Sequence, residues 1–372
     1  MRVLVLNAGS SSLKLSLVGP DDRVLTDNEF AVGEGRLDPV RLGSAIQGME
    51  GVEAIGHRVV HGGPRYRQSV RLDGEVVRYL ASISDLAPLH LPAALAGIDA
   101  AQKILPQVPG VACLDTAFHA GMPAAASTYA IPASWRDQHG IQRFGFHGFS
   151  HSYAARRAAE MLNRGLSELR IVTCHLGAGA SLAAVMAGRS VDTTMGFTPL
   201  EGLVMATRSG TVDPGMLLWL QRHAGIGEPE LTEALDRDGG LKALAGTGDM
   251  REVLKRMSAG DEQAKLAFDV YVHRLRGLIA AMAAAMDGLD VLVFTGGVGE
   301  NAAPVRAGAA GGLRFLGVDI SPERNAATGA DLDITAPGGH VTTLVIKARE
   351  DLEVAREVRR VLVAGPGLDS RK

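Results

Sequence analysis

Two arginines and a histidine stand where a charged or polar side chain is costly unless an anion meets it. Arg58 follows Gly56 and His57 inside the apolar stretch 52–60 and precedes Val59 and Val60. A guanidinium among such neighbours needs an anionic partner, either a structural carboxylate or an anionic substrate. Arg208 occupies the turn Thr207-Arg208-Ser209-Gly210, and His147 lies between Gly145 and Gly148 in a segment dense in aromatics and histidine. Together these three could clamp a transferring phosphoryl group, whose charge spreads over its equatorial oxygens. Asp115 closes the apolar run 111–114 and precedes Thr116 and His119. A carboxylate at the end of a buried strand is a usual catalytic place in open α/β sheets, and it is equally a helix N-cap. Glu350 and Asp351 sit where a strand meets a helix. Acids there suit the helix dipole, and a hard cation such as Mg²⁺ needs oxygen ligands of the same kind.

Strands and turns must deliver these groups to a ligand. Residues 291–294 close on Thr295-Gly296-Gly297-Val298-Gly299-Glu300-Asn301, residues 171–174 on His175-Leu176-Gly177-Ala178-Gly179-Ala180-Ser181, and residues 3–6 on Asn7-Ala8-Gly9-Ser10-Ser11-Ser12. An apolar run ending in small residues reads as a buried strand entering a tight turn, where glycine lets the backbone approach an anionic or flat ligand. Three turns of one design predict loops closing on one phosphate-rich ligand. Lys14 opens the strand 13–18, either beside that ligand or as a solvated edge lysine. The Gly-x4-Gly-Lys-Ser/Thr spacing is missing, so a P-loop fold is disfavoured.

The remaining elements follow from period and punctuation. Helices are expected over 93–104 with His90 as a cap, over 151–162 with Ser150 as a cap, over 262–286 from apolar residues at helical spacing, and over 351–363. Residues 313–320 read as a strand and turn, and 341–346 as the last strand. The stretch 191–208 is a long loop inside a compact domain, which points to function. The hairpin at residue 7 and the turn at residue 177 each open a half with similar strand-then-helix order. Two such halves facing each other would place a ligand in the cleft between them.

Composition sets the frame. The chain has 372 residues, 46% apolar and 21% charged, which allows two domains with large cores. Its 46 glycines exceed the usual share of roughly 7% and fit many tight turns. A net charge of −3 without charged blocks gives no sign of nucleic-acid or membrane partners. Cys113 and Cys174 sit in apolar runs and read as core thiols of a reducing compartment, so the cytoplasm is the expected location.

These residues, taken in order, resemble the acetokinase family, the acetate kinases of the sugar kinase/Hsc70/actin-like superfamily. The matching stretches are Val5-Leu6-Asn7-Ala8-Gly9-Ser10-Ser11-Ser12-Leu13-Lys14, Gly56-His57-Arg58-Val59-Val60-His61-Gly62-Gly63, Phe144-Gly145-Phe146-His147-Gly148-Phe149-Ser150-His151, Met195-Gly196-Phe197-Thr198-Pro199-Leu200-Glu201-Gly202-Leu203-Val204-Met205, Thr207-Arg208-Ser209-Gly210 and Phe294-Thr295-Gly296-Gly297-Val298-Gly299-Glu300-Asn301. The resemblance implies an α/β fold of two similar actin-like (ribonuclease H-like) domains, with mixed sheets flanked by helices and an active-site cleft between them. The expected domains are 1–119 with 352–372, the last helix packing back, and 120–351. The implied reaction is reversible, Mg²⁺-dependent in-line transfer of a phosphoryl group from ATP to acetate, with Mn²⁺ as an alternative ion. Asp115 would be the catalytic carboxylate, His147 with Arg208 the transition-state stabilisers, and Arg58 and Arg208 the holders of acetate and the moving group. Val60, Leu89, Phe146 and Pro199 would form the methyl pocket, and His90 falls at a further active-site histidine. Lys14, residues His175, Leu176, Gly177, Ala178 and Gly179, residues Asp249, Met250 and Arg251, and residues Gly297, Val298, Gly299, Glu300 and Asn301 would bind ATP. Asn7 and Glu350 would hold the metal. The family is typically a homodimer.

The chain departs from the family at Ala178, where Asn is usual, and at Arg349, also usually Asn. It is also somewhat short for the family. Propionate or butyrate is the alternative acceptor, since one methylene is worth only about 1–3 kcal/mol in an apolar pocket; Val60 favours acetate. A catalytically silent nucleotide-binding regulator would not need Arg58, Asp115, His147 and Arg208 together. A sugar kinase would show polar residues where Phe146 and Pro199 stand.

Overall fold

A computed structural model of the chain describes residues 1–8, 12–31, 39–88, 90–327, 329 and 331–363. It divides into two compact units, the first made of Met1–Ala120, Phe146–Phe149 and Arg349–Lys372, the second of Gly121–Gly145 and Ser150–Ala348.

The first unit is built on strands β1 (Val3–Ala8), β2 (Ser12–Val18), β3 (Val24–Ala31), β4 (Ala54–Val59), β5 (Val70–Arg71) and β6 (Gly110–Leu114), in the order β3-β2-β1-β4-β6-β5. Strands β1, β4 and β6 are parallel, and β2, β3 and β5 join antiparallel. Val3, Leu4, Val5 and Leu6 are all buried, because a central parallel strand is covered on both faces and so reads as an unbroken apolar run. The helix Glu350–Val363 packs against β1, β4 and β6 through Val354, Ala355 and Val358. Gly56 of β4 lies beneath it, where an added Cβ would stand 2.7 Å from Val354 Cγ1 and 2.8 Å from Val358 Cγ2. Only glycine lets this helix sit that close to the sheet.

The second unit repeats the plan with β7 (Arg170–Leu176), β8 (Ala180–Met186), β9 (Arg189–Thr193), β10 (Val291–Thr295), β11 (Leu332–Asp333) and β12 (Thr342–Val345), in the order β11-β12-β10-β7-β8-β9. Read from the other edge, each strand matches its counterpart in the first sheet. A two-hairpin meander is followed by two parallel strands and a short antiparallel edge. The similar order of the two halves expected at residues 7 and 177 is thus realised as one topology used twice, and the fold is the expected pair of mixed α/β sheets flanked by helices.

Three local expectations are corrected. The Gly-Gly-Val-Gly-Glu-Asn stretch is not an open turn but a short helix, Gly296–Asn301, entered through Gly296 at φ +77°. Glu300 closes it, its Oε1 accepting from the Gly296 N–H at 3.0 Å and the Ala348 N–H at 2.9 Å. The helix expected from residue 151 begins at Gly148 and runs to Leu162, so Ser150 lies inside it and cannot cap it. Residues 313–320 form no strand; a turn of 3-10 helix, Arg314–Leu316, ends at Gly317 with φ +86°, and only isolated bridges follow at Val318 and Ile320. A left-handed residue in that position stops the run that the apolar pattern suggested.

Two buried histidines are expected to make the protein acid-labile. Burial depresses His57 to about 3 and His119 to about 4. His119 Nε2 lies 3.0 Å from the Phe146 carbonyl, so the neutral Nε2–H tautomer donates there. Both folded values lie below the unfolded value of 6.5. The unfolded chain therefore binds more protons between pH 6.5 and 4, and stability is full above that window and falls as the pH drops through it. Each histidine removes up to about 1.4 kcal/mol per pH unit there. The thermal midpoint should drop between pH 7 and 5, and less so in His57→Leu. A flat profile in the native protein contradicts this assignment.

Candidate active site

The parallel strands of the first sheet end together, and that is where its charged groups meet. Asn7 is near the end of β1, Arg58 near the end of β4, and Asp115 directly follows β6, its N–H bonded to the Val59 carbonyl at 3.0 Å. The carboxyl ends of parallel strands are where open α/β sheets place their ligands. Arg58 forms a two-pronged pair with Asp115, Nε donating to Oδ1 at 3.0 Å and Nη2 to Oδ2 at 2.6 Å. Its Nη1 donates to Asn7 Oδ1 at 2.9 Å and lies 3.5 Å from Glu350 Oε2, which also accepts from Asn7 Nδ2 at 3.0 Å. Asp115 is 1% exposed. Burial pushes its carboxyl above the usual range; Arg58 pulls it back down, and the two charge-assisted bonds keep the pair ionic near neutrality. Glu350 opens the helix Glu350–Val363, where the dipole favours its charge. Asp115 is bonded to the guanidinium and does not cap the next segment, whose N-cap is Thr116; Arg58 has a carboxylate partner within the protein.

The segment Phe146–Phe149 hangs from the same carboxylate. The His147 N–H donates to the Asp115 side chain, and the Gly148 N–H donates to the Asp115 carbonyl at 3.1 Å. His147 adopts φ +55°, a left-handed conformation that a non-glycine residue holds only when its surroundings fix it. Phe146 is buried with its ring edge on His61, centroids 5.5 Å apart. Val60 is buried, and His90 is the N-cap residue of the helix Leu91–Ile104 without a side-chain capping bond. Leu89 lies outside the described residues. Lys14 pairs with Asp27 at 3.1 Å on the half-exposed β2–β3 surface.

The second unit holds Arg208 and a pocket of about 640 Å³. The ends of β7 and β10 are adjacent, His175 opposite Thr295, which brings their glycine turns together. The pocket is lined by Gly177 and Ala178 from the first turn, by Gly297, Val298 and Asn301 from the second, and by Asp249, Met250 and Arg251 at the helix Met250–Ser258. Leu254, Gly248 and Ala302 line it too. Sequence reading missed Leu254, although it lies one helical turn beyond Met250 on the same face. His175, Leu176, Gly179, Gly299 and Glu300, also expected to bind the nucleotide, are not part of this lining. His175 Nδ1 is 2.7 Å from Ser150 Oγ, and Arg306 donates to the carbonyls of Gly299 at 2.9 Å and Glu300 at 2.8 Å.

Arg208 differs from Arg58 in having no carboxylate within ion-pair distance among the described residues; Asp236 acts on it only from farther away. Among the described residues its guanidinium makes one hydrogen bond, Nη1 to the Pro199 carbonyl at 2.6 Å. Burial pulls its pKa down, and Asp236 opposes only part of that. Its turn is stitched to the phosphate-type turn by the Ala206 N–H, which donates to the Ala178 carbonyl at 3.1 Å. A half-buried cation with unspent charge, held in the same body as a glycine-lined pocket, is suited to a polyanionic ligand. No group of three or more His, Cys, Asp or Glu residues able to hold a metal occurs among the described residues.

A family model described as the acetokinase family matches residues 36–356. An acetate kinase of a Synechococcus species is 46% identical, covering 97% of this chain and 99% of the relative. The crystal structure of Porphyromonas gingivalis acetate kinase is similar with a TM-score of 0.88 at 35% identity, covering 97% of this chain and 99% of the other. A propionate kinase from Francisella tularensis is as similar, with a TM-score of 0.88 at 36% identity and the same coverage.

Proposed function

Because this chain belongs to the acetokinase family and is an ATP-using kinase, we propose that it transfers the γ-phosphoryl group of ATP reversibly to acetate, giving acetyl phosphate and ADP. The observation that carries this reading is Arg208, a half-buried guanidinium bonded, among the described residues, only to the Pro199 carbonyl and tied through Ala206 to the glycine turn at Ala178. A carboxylate is already a nucleophile, so no strong base is required; positioning and charge neutralisation are the main work. Arg208 and His147 would stabilise the transferring group. Asp115, locked to Arg58, acts by aiming that guanidinium at the acceptor carboxylate and takes no proton. Val60 and Phe146 in the first unit, and Pro199 in the second, are the proposed acyl-facing residues, and the pocket lined by Gly177, Met250 and Val298 would take the nucleotide.

Glu350 and Asn7 would hold Mg²⁺. Their side chains meet through Asn7 Nδ2 on Glu350 Oε2 at 3.0 Å, and Asn7 would turn its oxygen from Arg58 to the ion, which keeps several waters and binds one or two carboxylates plus phosphate oxygens. When bound, it would offset charge on the phosphates. Exposed Met216, Leu218 and Trp219 on the helix Pro214–His223 support a homodimer. Trp219→Asp is then expected to halve the mass measured by light scattering, and an unchanged mass argues against that surface.

The test is ATP-dependent acyl phosphate formation with Mg²⁺, trapped by hydroxylamine, for acetate, propionate and butyrate. Preference for acetate is expected. Preference for propionate or butyrate moves the acceptor pocket alone, and no product with any of them overturns the reading.

A further inference from the structure

A half-buried polar cluster at the loop before the Arg208 turn has no part in binding as described so far. Arg143 donates Nη2 to Glu201 Oε1 at 2.7 Å, and Nη1 to the carbonyls of Thr193 at 3.3 Å, Thr194 at 3.2 Å and Met195 at 3.2 Å. The Tyr129 hydroxyl donates to Glu201 Oε2 at 2.5 Å and accepts from the Phe197 N–H at 3.0 Å. Arg143 also stacks over the Tyr129 ring, 5.4 Å from its centroid. Gly196 makes room for this cluster, since a Cβ there would overlap both the Glu201 carboxylate and the Tyr129 hydroxyl. Residues 193–197 and residue 201 are thereby fastened to one Arg–Glu–Tyr set. Between them is Pro199, whose carbonyl makes the sole hydrogen bond of the Arg208 guanidinium among the described residues.

We propose that Tyr129, Arg143 and Glu201 form a clasp that positions Arg208 through the Pro199 carbonyl and, with it, the wall of the acyl pocket. The inference rests on the proposed carboxylate kinase reading. An ordinary structural network would stabilise the fold without favouring one acyl chain over another. This one grips both limbs of the loop that carries Pro199, so loosening it moves the arginine and the pocket wall together. Displacements of about 1 Å at a reacting group cost about 10²-fold in rate.

Tyr129→Phe removes the one oxygen that serves both Glu201 and Phe197. The expected result is a fall in kcat of at least about 10-fold, with the ATP KM held within about twofold and the acetate-to-propionate ratio of kcat/KM altered about threefold or more. The ¹⁵Nε–Hε resonance of Arg208, assigned through Arg208→Lys, should shift or broaden whether or not the protein turns over. Glu201→Gln serves as the second variant if Tyr129→Phe fails to fold. Native protein that forms acyl phosphate, with a variant whose kcat, acyl ratio and Arg208 resonance are unchanged, overturns the clasp alone. Native protein that forms no acyl phosphate overturns the reaction reading, and the Arg208 resonance then decides the clasp by itself.

Discussion

Arg208→Ala should lower kcat for acyl phosphate formation by about 10³-fold or more, the range seen when an arginine that meets transition-state charge on a phosphoryl group is lost. The ATP KM should change little, because the pocket lined by Gly177, Met250 and Val298 is left intact. The thermal midpoint should hold or rise. Arg208 is a half-buried cation whose pKa burial has lowered and whose only hydrogen bond among the described residues is to a carbonyl. Removing a poorly compensated buried charge is neutral or favourable. Loss of rate without loss of stability is the signature of a group kept for the reaction. Arg208→Lys should recover little, since an ammonium is a point charge and cannot present the planar fork of a guanidinium. An alanine variant retaining more than about a tenth of the native rate would remove Arg208 from the transition state.

The largest effect on stability is expected at Arg58. Arg58→Met leaves Asp115 buried at 1% exposure with its two charge-assisted bonds gone. Breaking a buried pair from one side costs about 3–5 kcal/mol. The pH dependence has a definite sign. Without Arg58, the Asp115 carboxyl rises further above its unfolded value of 3.8. The folded variant then binds more protons than the unfolded one, so its deficit relative to the native protein is largest at pH 8 and shrinks as the pH falls toward 5. Arg58→Met combined with Asp115→Leu should regain most of the lost stability and none of the activity. Calorimetry on the three proteins at both pH values checks this, and a deficit that grows on acidification would contradict the ionic pair.

Much of this architecture is readable from the chain because its physics is local. Residues 3–6 and 291–294 are continuous apolar runs, and strands covered on both faces have no other pattern. Arg58 and Asp115 were conspicuous as charges at the ends of such runs, although which of two roles each took depended on the other. The hairpins at residues 7 and 177 suggested a repeat, and the two sheets have the same strand order. What the chain hid is what only tertiary pairing creates. Tyr129 and Glu201 are 72 residues apart with no spacing signal, and Asn7 and Glu350, 343 apart, are linked in the sequence only by the family resemblance. The start of the helix at Gly148 was missed because Ser150 is a better cap by composition. Yet Gly148 is required where a Cβ would overlap the Asp115 carbonyl. Residues 313–320 carried strand-like apolar residues, but Gly317 in the left-handed region ends any extended run.

The central claim is that phosphorus passes directly from ATP to a carboxylate oxygen. The most direct measurement is the configuration at phosphorus in the acetyl phosphate formed from acetate, Mg²⁺ and ATP whose γ-phosphoryl group is made chiral with ¹⁶O, ¹⁷O and ¹⁸O. The account predicts ADP and inversion, the outcome of one in-line displacement. Retention, which requires two displacements through a phosphorylated side chain, would contradict direct transfer and the roles assigned here to Arg208 and His147.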